Sequence, residues 1–222
     1  MTLTLKNITY SYKESVHTQT ILDDINYTFE AGKLYTIMGP SGAGKTTLLS
    51  IAAGLTTPVE GEVLFGNQNE NIYEMGITNY RRKCTSIIFQ AYNLIPYMTA
   101  FQNVKTALEI KKDASSTKDY IQEKLLEVGI DSPLTHKNIN QLSGGQQQRV
   151  AIARALASKA PIIFADEPTG NLDQEKSHEI MSLFKELAKM EKRCIIIVTH
   201  DSDVARQADT QLLLKDHQLK EV

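Results

Sequence analysis

The chain has 222 residues, which is enough for one large domain with a sizeable buried core. Its formal net charge of −2 at pH 7 argues against nucleic-acid binding through bulk positive charge, and its charged fraction of 23% argues against disorder. Cys84 and Cys194 have no metal-ligand spacing, so we interpret them as reduced core thiols of a cytosolic protein. We see no signal peptide and no apolar run of the ~20 residues that span a bilayer, so another chain would supply any membrane part of the function.

Most of the elements predicted in the first 90 residues are strands. Ile25, Tyr27 and Phe29 alternate with polar neighbours, which is typical of a half-exposed antiparallel sheet. The apolar run at residues 34–38 predicts a strand that is buried on both faces. A glycine-rich turn follows this run and leads into a helix at residues 46–53, which Gly54 ends. The strands predicted in this part are residues 3–12, 21–29, 34–38, 63–65 and 86–89.

Strand patterns are absent from residue 91 to about residue 158. A helix is predicted at residues 117–128, after a loop at 113–116, and a second, alanine-rich helix at residues 146–158. Strands and helices then alternate again, and a last helix and strand end the chain. We therefore expect an α/β fold, in which a parallel core is interrupted by a helical insert. The elements predicted after the insert are a strand at 161–165, a helix at 176–190 and a strand at 194–199.

Residues 39–46, Gly-Pro-Ser-Gly-Ala-Gly-Lys-Thr, match the phosphate-loop pattern at every required position. The glycines let backbone N–H groups turn towards phosphate oxygens, and the N-terminus of the following helix adds partial positive charge. Lys45 can reach the β- and γ-phosphates, and the Thr46 hydroxyl can bind Mg²⁺. The alternative is a glycine-rich turn without a ligand. The location between a buried strand and a helix favours nucleotide binding.

Two acidic residues, Asp166 and Glu167, follow the predicted strand at residues 161–165. Acidic residues at the carboxyl end of a buried strand lie at the ligand-binding edge of an α/β sheet. Asp166 could hold Mg²⁺, directly or through water, and Glu167 could polarise an attacking water. Alone, the pair would more often be a helix cap or a turn. Together with the phosphate loop, it indicates nucleotide hydrolysis.

Residues 142–149, Leu-Ser-Gly-Gly-Gln-Gln-Gln-Arg, form a second glycine-rich element. A helix that begins after Ser-Gly-Gly is an anion site as well as a capped helix start. This element resembles the signature motif of the ATP-binding cassette (ABC) ATPases, and the resemblance covers essentially the whole chain. The motifs of that family occur here in the family's order: the phosphate loop, Gln90, the signature, Asp166-Glu167, Asn171-Leu172-Asp173 and His200.

The resemblance implies a P-loop NTPase (RecA-like) core with an N-terminal antiparallel β-subdomain and an inserted α-helical subdomain. Residues 1–222 would form a single nucleotide-binding domain. Its core would comprise residues 1–90 and 159–222, and its helical subdomain, with the signature motif, would comprise residues 91–158. Two such domains of this family pair head to tail, and each ATP lies between the phosphate loop of one copy and the signature of the other.

The resemblance also implies a role for each motif residue. Glu167 and His200 would orient and activate the attacking water, and Gln90 would link Mg²⁺ and water to the helical subdomain. The catalytic residues would be Glu167, His200 and Gln90, and the metal ligands Thr46, Gln90 and Asp166. The nucleotide-binding residues would be Tyr12, Gly39, Pro40, Ser41, Gly42, Ala43, Gly44, Lys45, Thr46, Thr47, Ser143, Gly144, Gly145, Gln146 and Asp173.

Four of these assignments depend on the alignment with the family's motifs. Tyr12 lies where the family places an aromatic that stacks on adenine, but Tyr10 shares the same strand face, and a tyrosine of the core is a further alternative. Without the resemblance, Gln90 would be interpreted as a surface residue and His200 as a structural one. Asp173 resembles the loop residue that crosses the dimer and couples its two sites.

Three stretches are similar to the subfamily that includes the lipoprotein-release, macrolide-export, bacitracin-resistance and cell-division ATPases of bacteria. They are residues 91–100, residues 146–155 and residues 166–173, the last with Gly-Asn where many importers carry Ser-Ala. This likeness implies the ATPase subunit of an exporter or extracytoplasmic-release system for peptide, antimicrobial or lipoprotein-like substrates. The alternatives are a non-transport mechanotransmission ATPase of the cell-division type and the ATPase of a polar amino-acid importer. An ABC protein that acts on DNA or ribosomes is disfavoured because the chain has neither long coiled coils nor a second cassette.

The cofactors and partners follow from the same resemblance. It implies ATP and Mg²⁺ as cofactors, an ATP-dependent homodimer, an integral membrane permease and no nucleic acid. The chain would be cytoplasmic and bound to the inner face of the cell membrane through the permease. We expect the apolar and aromatic stretch at residues 92–98 to be exposed and to receive a coupling helix of the membrane subunit.

Overall fold

The computed structural model describes residues 1–13, 18–112 and 117–222, so the loop predicted at 113–116 lies outside the described residues. The strands are β1 (Thr2–Lys13), β2 (Thr18–Glu30), β3 (Leu34–Met38), β4 (Glu60–Phe65), β5 (Glu70–Asn71), β6 (Thr85–Ile88), β7 (Ile162–Asp166), β8 (Cys194–Val198), β9 (Thr210–Lys215) and β10 (Gln218–Glu221). The α-helices are α1 (Lys45–Ala52), α2 (Ile77–Cys84), α3 (Ala100–Lys111), α4 (Lys118–Glu127), α5 (Ser132–Thr135), α6 (Gly144–Ala157), α7 (Gln174–Glu191) and α8 (Ser202–Ala205).

Two sheets form the framework of the fold. The larger sheet has six strands in the order β10-β9-β3-β8-β7-β6, and its strands are parallel except for β10, which pairs antiparallel with β9. The smaller sheet is antiparallel and has the order β2-β1-β4-β5. The predicted α/β core with an antiparallel β-subdomain and a helical insert is therefore confirmed. The chain was expected to end in a helix and one strand, but it ends in a helix and the hairpin of β9 and β10.

The parallel strands separate two hydrophobic cores because successive side chains alternate between the faces of a sheet. On β8, Ile195 and Ile197 pack on the face that carries α3, α4, α6 and α7. Cys194, Ile196 and Val198 pack on the opposite face, with α1 and the antiparallel sheet. Both faces of the sheet are covered, which explains why all residues of β7 and β8 are buried and why these strands are nearly continuous apolar runs.

The helical insert, residues 91–158, contributes α3 to α6 and shares one of these two cores with the parallel sheet. The division into a core of residues 1–90 and 159–222 and a helical subdomain of residues 91–158 stays a prediction. Of the helices in the insert, α3 and α5 were not predicted. Within the described ranges, no helix is both long enough and apolar enough to cross a bilayer.

Helix α6 begins at Gly144, two residues before its predicted start, because Ser143 caps it. The Ser143 hydroxyl accepts a hydrogen bond from the Gln146 N–H at 3.3 Å, and the Gln146 side-chain oxygen accepts one from the Ser143 N–H at 2.9 Å. This reciprocal pair is a capping box, which satisfies two N–H groups at the helix start. The glycine-rich signature motif is thus part of the first turn of the helix.

The neighbouring strands β3, β8, β7 and β6 all end at the same edge of the larger sheet. The segments that follow them carry the phosphate loop, His200, Glu167 and Gln90. In α/β sheets, ligands bind at this carboxyl edge. The fold therefore brings four motifs that are far apart in the chain to one place.

The Asn103 side chain holds the segment that precedes α3. It is buried, and it accepts a hydrogen bond from the Ile95 N–H at 2.8 Å and donates to the carbonyl oxygens of Ile95 at 3.2 Å and Thr99 at 3.0 Å. Replacing Asn103 with Leu keeps the branched shape of the side chain and removes these bonds, so we expect the free energy of unfolding to fall by about 1–3 kcal/mol.

Denaturant unfolding measures this change. The control is Lys105→Ala, which removes only an exposed ion pair with Glu109 and should lower the free energy of unfolding by less than about 1 kcal/mol. If Asn103→Leu lowered the free energy of unfolding no more than this control does, the Asn103 side chain would not hold the segment.

Candidate nucleotide-binding site

A cleft of about 500 Å³ opens at the carboxyl edge of the parallel strands. Its volume is within the usual range for a small-ligand site. Its lining brings together most of the residues predicted for nucleotide binding, Mg²⁺ and catalysis, whereas Pro40 belongs to the same loop without lining the cleft. The lining residues are Tyr12, Ile21, Gly39, Ser41, Gly42, Ala43, Gly44, Lys45, Thr46, Thr47, Gln90, Asp166, Glu167, Val198 and His200.

Two glycines of the phosphate loop are in places where a side chain does not fit. Gly39 has φ +156°, and a Cβ there would lie 2.2 Å from the backbone oxygen of Leu214. Gly44 has φ +96°, and a Cβ there would lie 2.6 Å from the Ile21 side chain. The loop therefore packs against β9 and β2 with only backbone atoms, which explains why glycine is needed at these positions.

The N-terminus of α1 and the Lys45 ammonium supply positive charge on the loop. The N-cap residue of α1 is Gly44, which has no side chain that could accept a hydrogen bond from the first N–H groups of the helix. Lys45 donates to the carbonyl oxygens of Gly39 at 2.8 Å and Pro40 at 2.9 Å, which holds the ammonium against the loop. A helix N-terminus and a lysine together favour a phosphate group.

Thr46 and Asp166 form the candidate Mg²⁺ site. The Thr46 hydroxyl donates to the Asp166 carboxylate at 2.9 Å, which joins the start of α1 to the end of β7. Burial raises the pKa of the Asp166 carboxyl, the hydrogen bond from Thr46 opposes this shift, and the neighbouring Glu167 adds to it. A bound cation would offset both unfavourable effects on the charged carboxylate. Mg²⁺ prefers such hard oxygen ligands and retains room for phosphate oxygens and water, so these residues fit the ion.

The Glu167 carboxylate is held by the segment that follows β8. One oxygen accepts the His200 N–H at 3.0 Å and lies 2.7 Å from His200 Nδ1, and the other accepts the Thr199 hydroxyl at 3.2 Å. The Glu167 side chain is 12% exposed, whereas that of His200 is 77% exposed. The pair thus presents a largely buried, oriented carboxylate and an accessible imidazole to the cleft, which is the arrangement that a general base requires.

Thr199 is a site residue that the sequence analysis missed. It is fully buried and holds both the Glu167 carboxylate and the N–H of Asp201. The signal was a hydroxyl residue at the carboxyl end of an otherwise apolar strand, next to the predicted His200. Because a buried hydroxyl needs a hydrogen-bond partner, Thr199 could have been predicted as a site residue.

The cleft gives different surroundings to Tyr10 and Tyr12. Tyr12 is 50% exposed and lines the cleft, whereas Tyr10 is partly buried, packs on the core below, and meets Tyr12 edge to face with ring centroids 5.2 Å apart. Burial raises the pKa of Tyr10. An accessible ring can stack on a base, so this arrangement favours Tyr12 over Tyr10 as the adenine contact.

The loop after Gln90 is tied to helix α6 rather than to the phosphate loop. The Arg154 guanidinium donates to the carbonyl oxygens of Asn93 at 2.6 Å and Tyr92 at 2.8 Å. Tyr92 and Asn93 have φ of +62° and +49°, in the left-handed region that non-glycine residues rarely adopt. Arg154 therefore stabilises a strained loop, and this role was not visible in the sequence. Gln90 is exposed and lines the cleft beside this loop.

The signature residues lie on a different face of the chain. Ser143, Gly145 and Gln146 share a depression of about 340 Å³ with Asp173, and Gly144 precedes Gly145 in the first turn of α6. A Cβ on Gly145 would lie 3.1 Å from the Asn171 carbonyl oxygen, so the signature packs closely on the segment that leads to Asp173. Within the described part of the chain, no residue of this set lines the first cleft. The phosphate loop and the signature motif thus line two separate depressions of one chain.

Comparison with known proteins identifies the family of the chain. A sequence model of the family described as "ABC transporter" matches residues 22–170. The chain belongs to the ABC transporter family. As an ABC ATPase it binds ATP and Mg²⁺ and hydrolyses ATP to ADP and phosphate, and the predicted P-loop NTPase fold is confirmed.

Several relatives match this ABC ATPase over nearly its whole length. The uncharacterized ABC transporter ATP-binding protein YclH of Bacillus subtilis is 46% identical over 213 residues, which are 96% of this chain and 92% of that protein. The lipoprotein-releasing system ATP-binding protein LolD of Syntrophotalea carbinolica is 37% identical, over 95% of this chain and 93% of that protein. The macrolide export ATP-binding/permease protein MacB of a Shewanella strain is 42% identical over 89% of this chain, which covers 30% of that longer protein.

Two solved structures of one protein have the same fold as this ABC ATPase. The first is described as the dimeric structure of MJ0796, a bacterial ABC transporter cassette, and has a TM-score of 0.93 at 38% identity over 99% of this chain and 97% of that chain. The second is a dimeric post-hydrolysis state of MJ0796 bound to ADP and Pi, with a TM-score of 0.92, 38% identity and the same coverage.

Thr46→Val removes one hydroxyl with little change in volume and tests the Mg²⁺ site. Because we predict that this hydroxyl binds Mg²⁺, we expect the affinity for ATP with Mg²⁺ to fall by about tenfold or more, and the affinity in EDTA to change by less than about threefold. Titration with a fluorescent ATP analogue under both conditions measures the two affinities. Thr46→Ser keeps the hydroxyl and should behave as the unmodified chain. Equal losses with Mg²⁺ and with EDTA would assign Thr46 to the loop structure instead.

Proposed function

We propose that this chain is the ATP-hydrolysing subunit of an ABC exporter or extracytoplasmic-release system and acts as a head-to-tail homodimer. The observation that carries the proposal is the oriented Glu167 carboxylate beside the phosphate loop, combined with signature residues on a separate face. The first arrangement supplies a hydrolysis site. The second has the anion-binding chemistry to complete the site of another copy.

In the proposed reaction, residues of the first cleft bind and orient the nucleotide. The N–H groups of the phosphate loop and the Lys45 ammonium bind phosphate oxygens, and Tyr12 stacks on the base. Thr46, Asp166 and Gln90 hold Mg²⁺, which when bound neutralises charge that builds up on the phosphate oxygens. These residues bring the γ-phosphate to the Glu167 side of the cleft.

Hydrolysis then requires an oriented water and a place for its proton. The Glu167 carboxylate accepts a hydrogen bond from the attacking water and takes up its proton, and Thr199 and His200 keep that carboxylate in position. The exposed His200 imidazole is free to contact the γ-phosphate. Water attacks phosphorus, the bond to the ADP oxygen breaks, and ADP and phosphate are the products.

The second copy completes this site in the proposal. Its Ser143 hydroxyl and the N–H groups of its Gly144 and Gly145 bind the γ-phosphate from the opposite side, and its Gln146 and Asp173 lie at the same boundary. The dimeric structures of MJ0796 support this assembly, because that cassette matches this chain over nearly its full length. ATP would thus join two copies, and hydrolysis would separate them.

A groove beside the helical insert is our candidate for the contact with a membrane subunit. It has a volume of about 290 Å³, and its apolar lining includes Ile87, Phe89, Ala107 and Ile110. Ile110 is 65% exposed, and Tyr97, in the stretch that precedes α3, is 76% exposed. Exposed apolar residues are typical of a partner surface.

The stretch at residues 92–98 was expected to be exposed as a whole, and this expectation was too broad. Tyr97 and Pro96 are exposed, but Tyr92, Leu94, Ile95 and Met98 are only partly exposed, and Leu94 packs against the core. The surface that remains for a partner is therefore Tyr97, Pro96 and the groove.

We infer the class of transport system from the names of two relatives. LolD is named for lipoprotein release, and MacB joins an ATP-binding part and a permease part in one protein for macrolide export. By this likeness, we assign the chain to a peptide, antimicrobial or lipoprotein-like substrate class and to a separate permease. It would act at the cytoplasmic face of the membrane, where the permease holds it.

Glu167→Gln tests the hydrolysis site and the dimer together. The amide cannot take up the proton of the water, so we expect the turnover rate to fall by roughly 100-fold or more while ATP still binds. The dimer should then accumulate with ATP, and size-exclusion chromatography with multi-angle light scattering measures it. Lys45→Ala, which weakens nucleotide binding, is the control that should stay monomeric. Normal turnover in Glu167→Gln would remove Glu167 from the mechanism.

Tyr97→Asp and Ile110→Asp test the partner surface. Both place a charge on the proposed apolar contact, so we expect each to reduce co-purification of the tagged chain with a membrane protein by about tenfold, with ATPase activity retained. Met190→Asp is the matched control, because Met190 is 77% exposed and lies at the end of α7, outside the groove. Unchanged recovery of the membrane protein with all three variants would contradict the assignment.

A further inference from the structure

Gln148 is a buried polar residue in the interior of helix α6. Its side chain is 0% exposed, and it lies on the same helix face as Ala151, Ile152 and Ala155, which are also buried. The sequence places an amide where this face is otherwise apolar. A buried amide needs hydrogen-bond partners on both its oxygen and its nitrogen.

Both atoms of the Gln148 amide bind backbone groups of the turn after β7. Its nitrogen donates to the carbonyl oxygen of Glu167 at 2.9 Å, and its oxygen accepts the N–H of Asn171 at 3.1 Å. The two bonds span the start and the end of the segment from Glu167 to Asn171. The Gly170 N–H also donates to the Glu167 carbonyl oxygen, at 3.3 Å.

The residue that Gln148 holds is under backbone strain. Glu167 has φ +49°, in the left-handed region, although it has a side chain. Such a conformation persists only where surrounding contacts determine it, and it is common in active sites. The Gln148 amide binds the carbonyl oxygen of this strained residue, and Thr199 and His200 bind its carboxylate. The carbonyl oxygen and the side chain of Glu167 are thus held by separate elements, whereas the Glu167 N–H donates to the Val198 carbonyl oxygen of β8 at 2.9 Å.

Helix α6 joins this contact directly to the signature motif. Gln148 is five residues after Ser143, roughly 7.5 Å along the helix axis. Over this distance a helix is effectively rigid. Gly145, in the same helix, packs against the Asn171 carbonyl oxygen. A shift of the signature would therefore move both ends of the segment that begins with Glu167.

We propose that Gln148 is a positioning residue for hydrolysis, which sets the backbone of Glu167 relative to the signature helix. When the signature of one copy closes on the nucleotide of the second copy, Gln148 transmits this movement to Glu167 of the first copy. This inference rests on the proposed role of Glu167. It identifies a contact through which one ATP site of the dimer controls the other.

Gln148→Met is the first test, because methionine has a similar length and no amide. We expect kcat to fall roughly 10- to 100-fold, because Glu167 loses its fixed position, while KM and the Kd for ATP change by less than about threefold. In the Glu167→Gln background, Gln148→Met should still form the ATP-bound dimer. A purely structural role would lower binding, dimerisation and kcat together, and that result would overturn the proposal.

Tyr80→Phe is the matched control for the loss of a buried hydrogen bond. The Tyr80 hydroxyl is buried, donates to the Ala52 carbonyl oxygen at 2.8 Å, and lies outside the nucleotide cleft. We expect this variant to lower the thermal midpoint without changing kcat per folded molecule. A fall in kcat in Tyr80→Phe equal to that in Gln148→Met would overturn the proposal.

Gln148→Glu gives a second readout that does not depend on the methionine variant. A protonated glutamic acid can donate to the Glu167 carbonyl oxygen, whereas the carboxylate cannot. Measured from pH 6 to 9, kcat relative to the unmodified chain should therefore rise as pH falls. A ratio that does not depend on pH would contradict the inference.

The two proposals fail in different ways. If Glu167→Gln retains turnover, the role of Glu167 fails. If Glu167→Gln is inactive but Gln148→Met keeps the normal kcat, the role of Glu167 stands and only the inference about Gln148 fails.

Discussion

The parallel pairing of β3, β8 and β7 is the constraint on which the site depends. Ile37 pairs with Val198, and Val198 pairs with Asp166, so the three strands end side by side. Neighbouring strands are about 4.8 Å apart, so the three turns that follow begin within about 10 Å of one another. This register brings the phosphate loop, the Glu167 turn and the Thr199-His200 turn together before any ligand binds. The contact between Thr46 and Asp166 and the contacts of Glu167 with Thr199 and His200 are its consequences.

Helix α6 has a different role, because it joins elements instead of forming the cleft. Ser143 caps its start, Gln148 in its middle holds the turn of Glu167, and Arg154 near its end holds the loop after Gln90. The helix is buried along most of its length and shares a core with the parallel sheet. The signature motif, which we propose contacts a second copy, is therefore connected through this helix to the Glu167 turn and to the loop after Gln90. Backbone strain at Glu167 and at the loop after Gln90 occurs where this helix supplies the stabilising contacts.

The secondary structure could be predicted where local patterns were strong. The buried strands β3, β7 and β8 were recognised as apolar runs, and their ends matched to within about one residue. Helix α3 was missed although Thr99 and Gln102 form a capping box at its start, a signal that could have been read from the sequence. The antiparallel strand β10 was missed because four partly polar residues carry no pattern that distinguishes a strand from a loop.

The sequence by itself determined the motifs that carry the chemistry of this protein: a phosphate loop, an acidic pair, a second glycine-rich motif and the family to which they belong. Residue types and short spacings carry this information because phosphate binding and helix capping are local. Only the tertiary structure decided which side chains hold Glu167, that Tyr12 rather than Tyr10 faces the cleft, and that the signature lies on another face. These facts depend on packing between segments far apart in the chain, as with Gln148 and Glu167 or Thr199 and Glu167. No local pattern reports the distances between such segments, because strand register and helix packing set them.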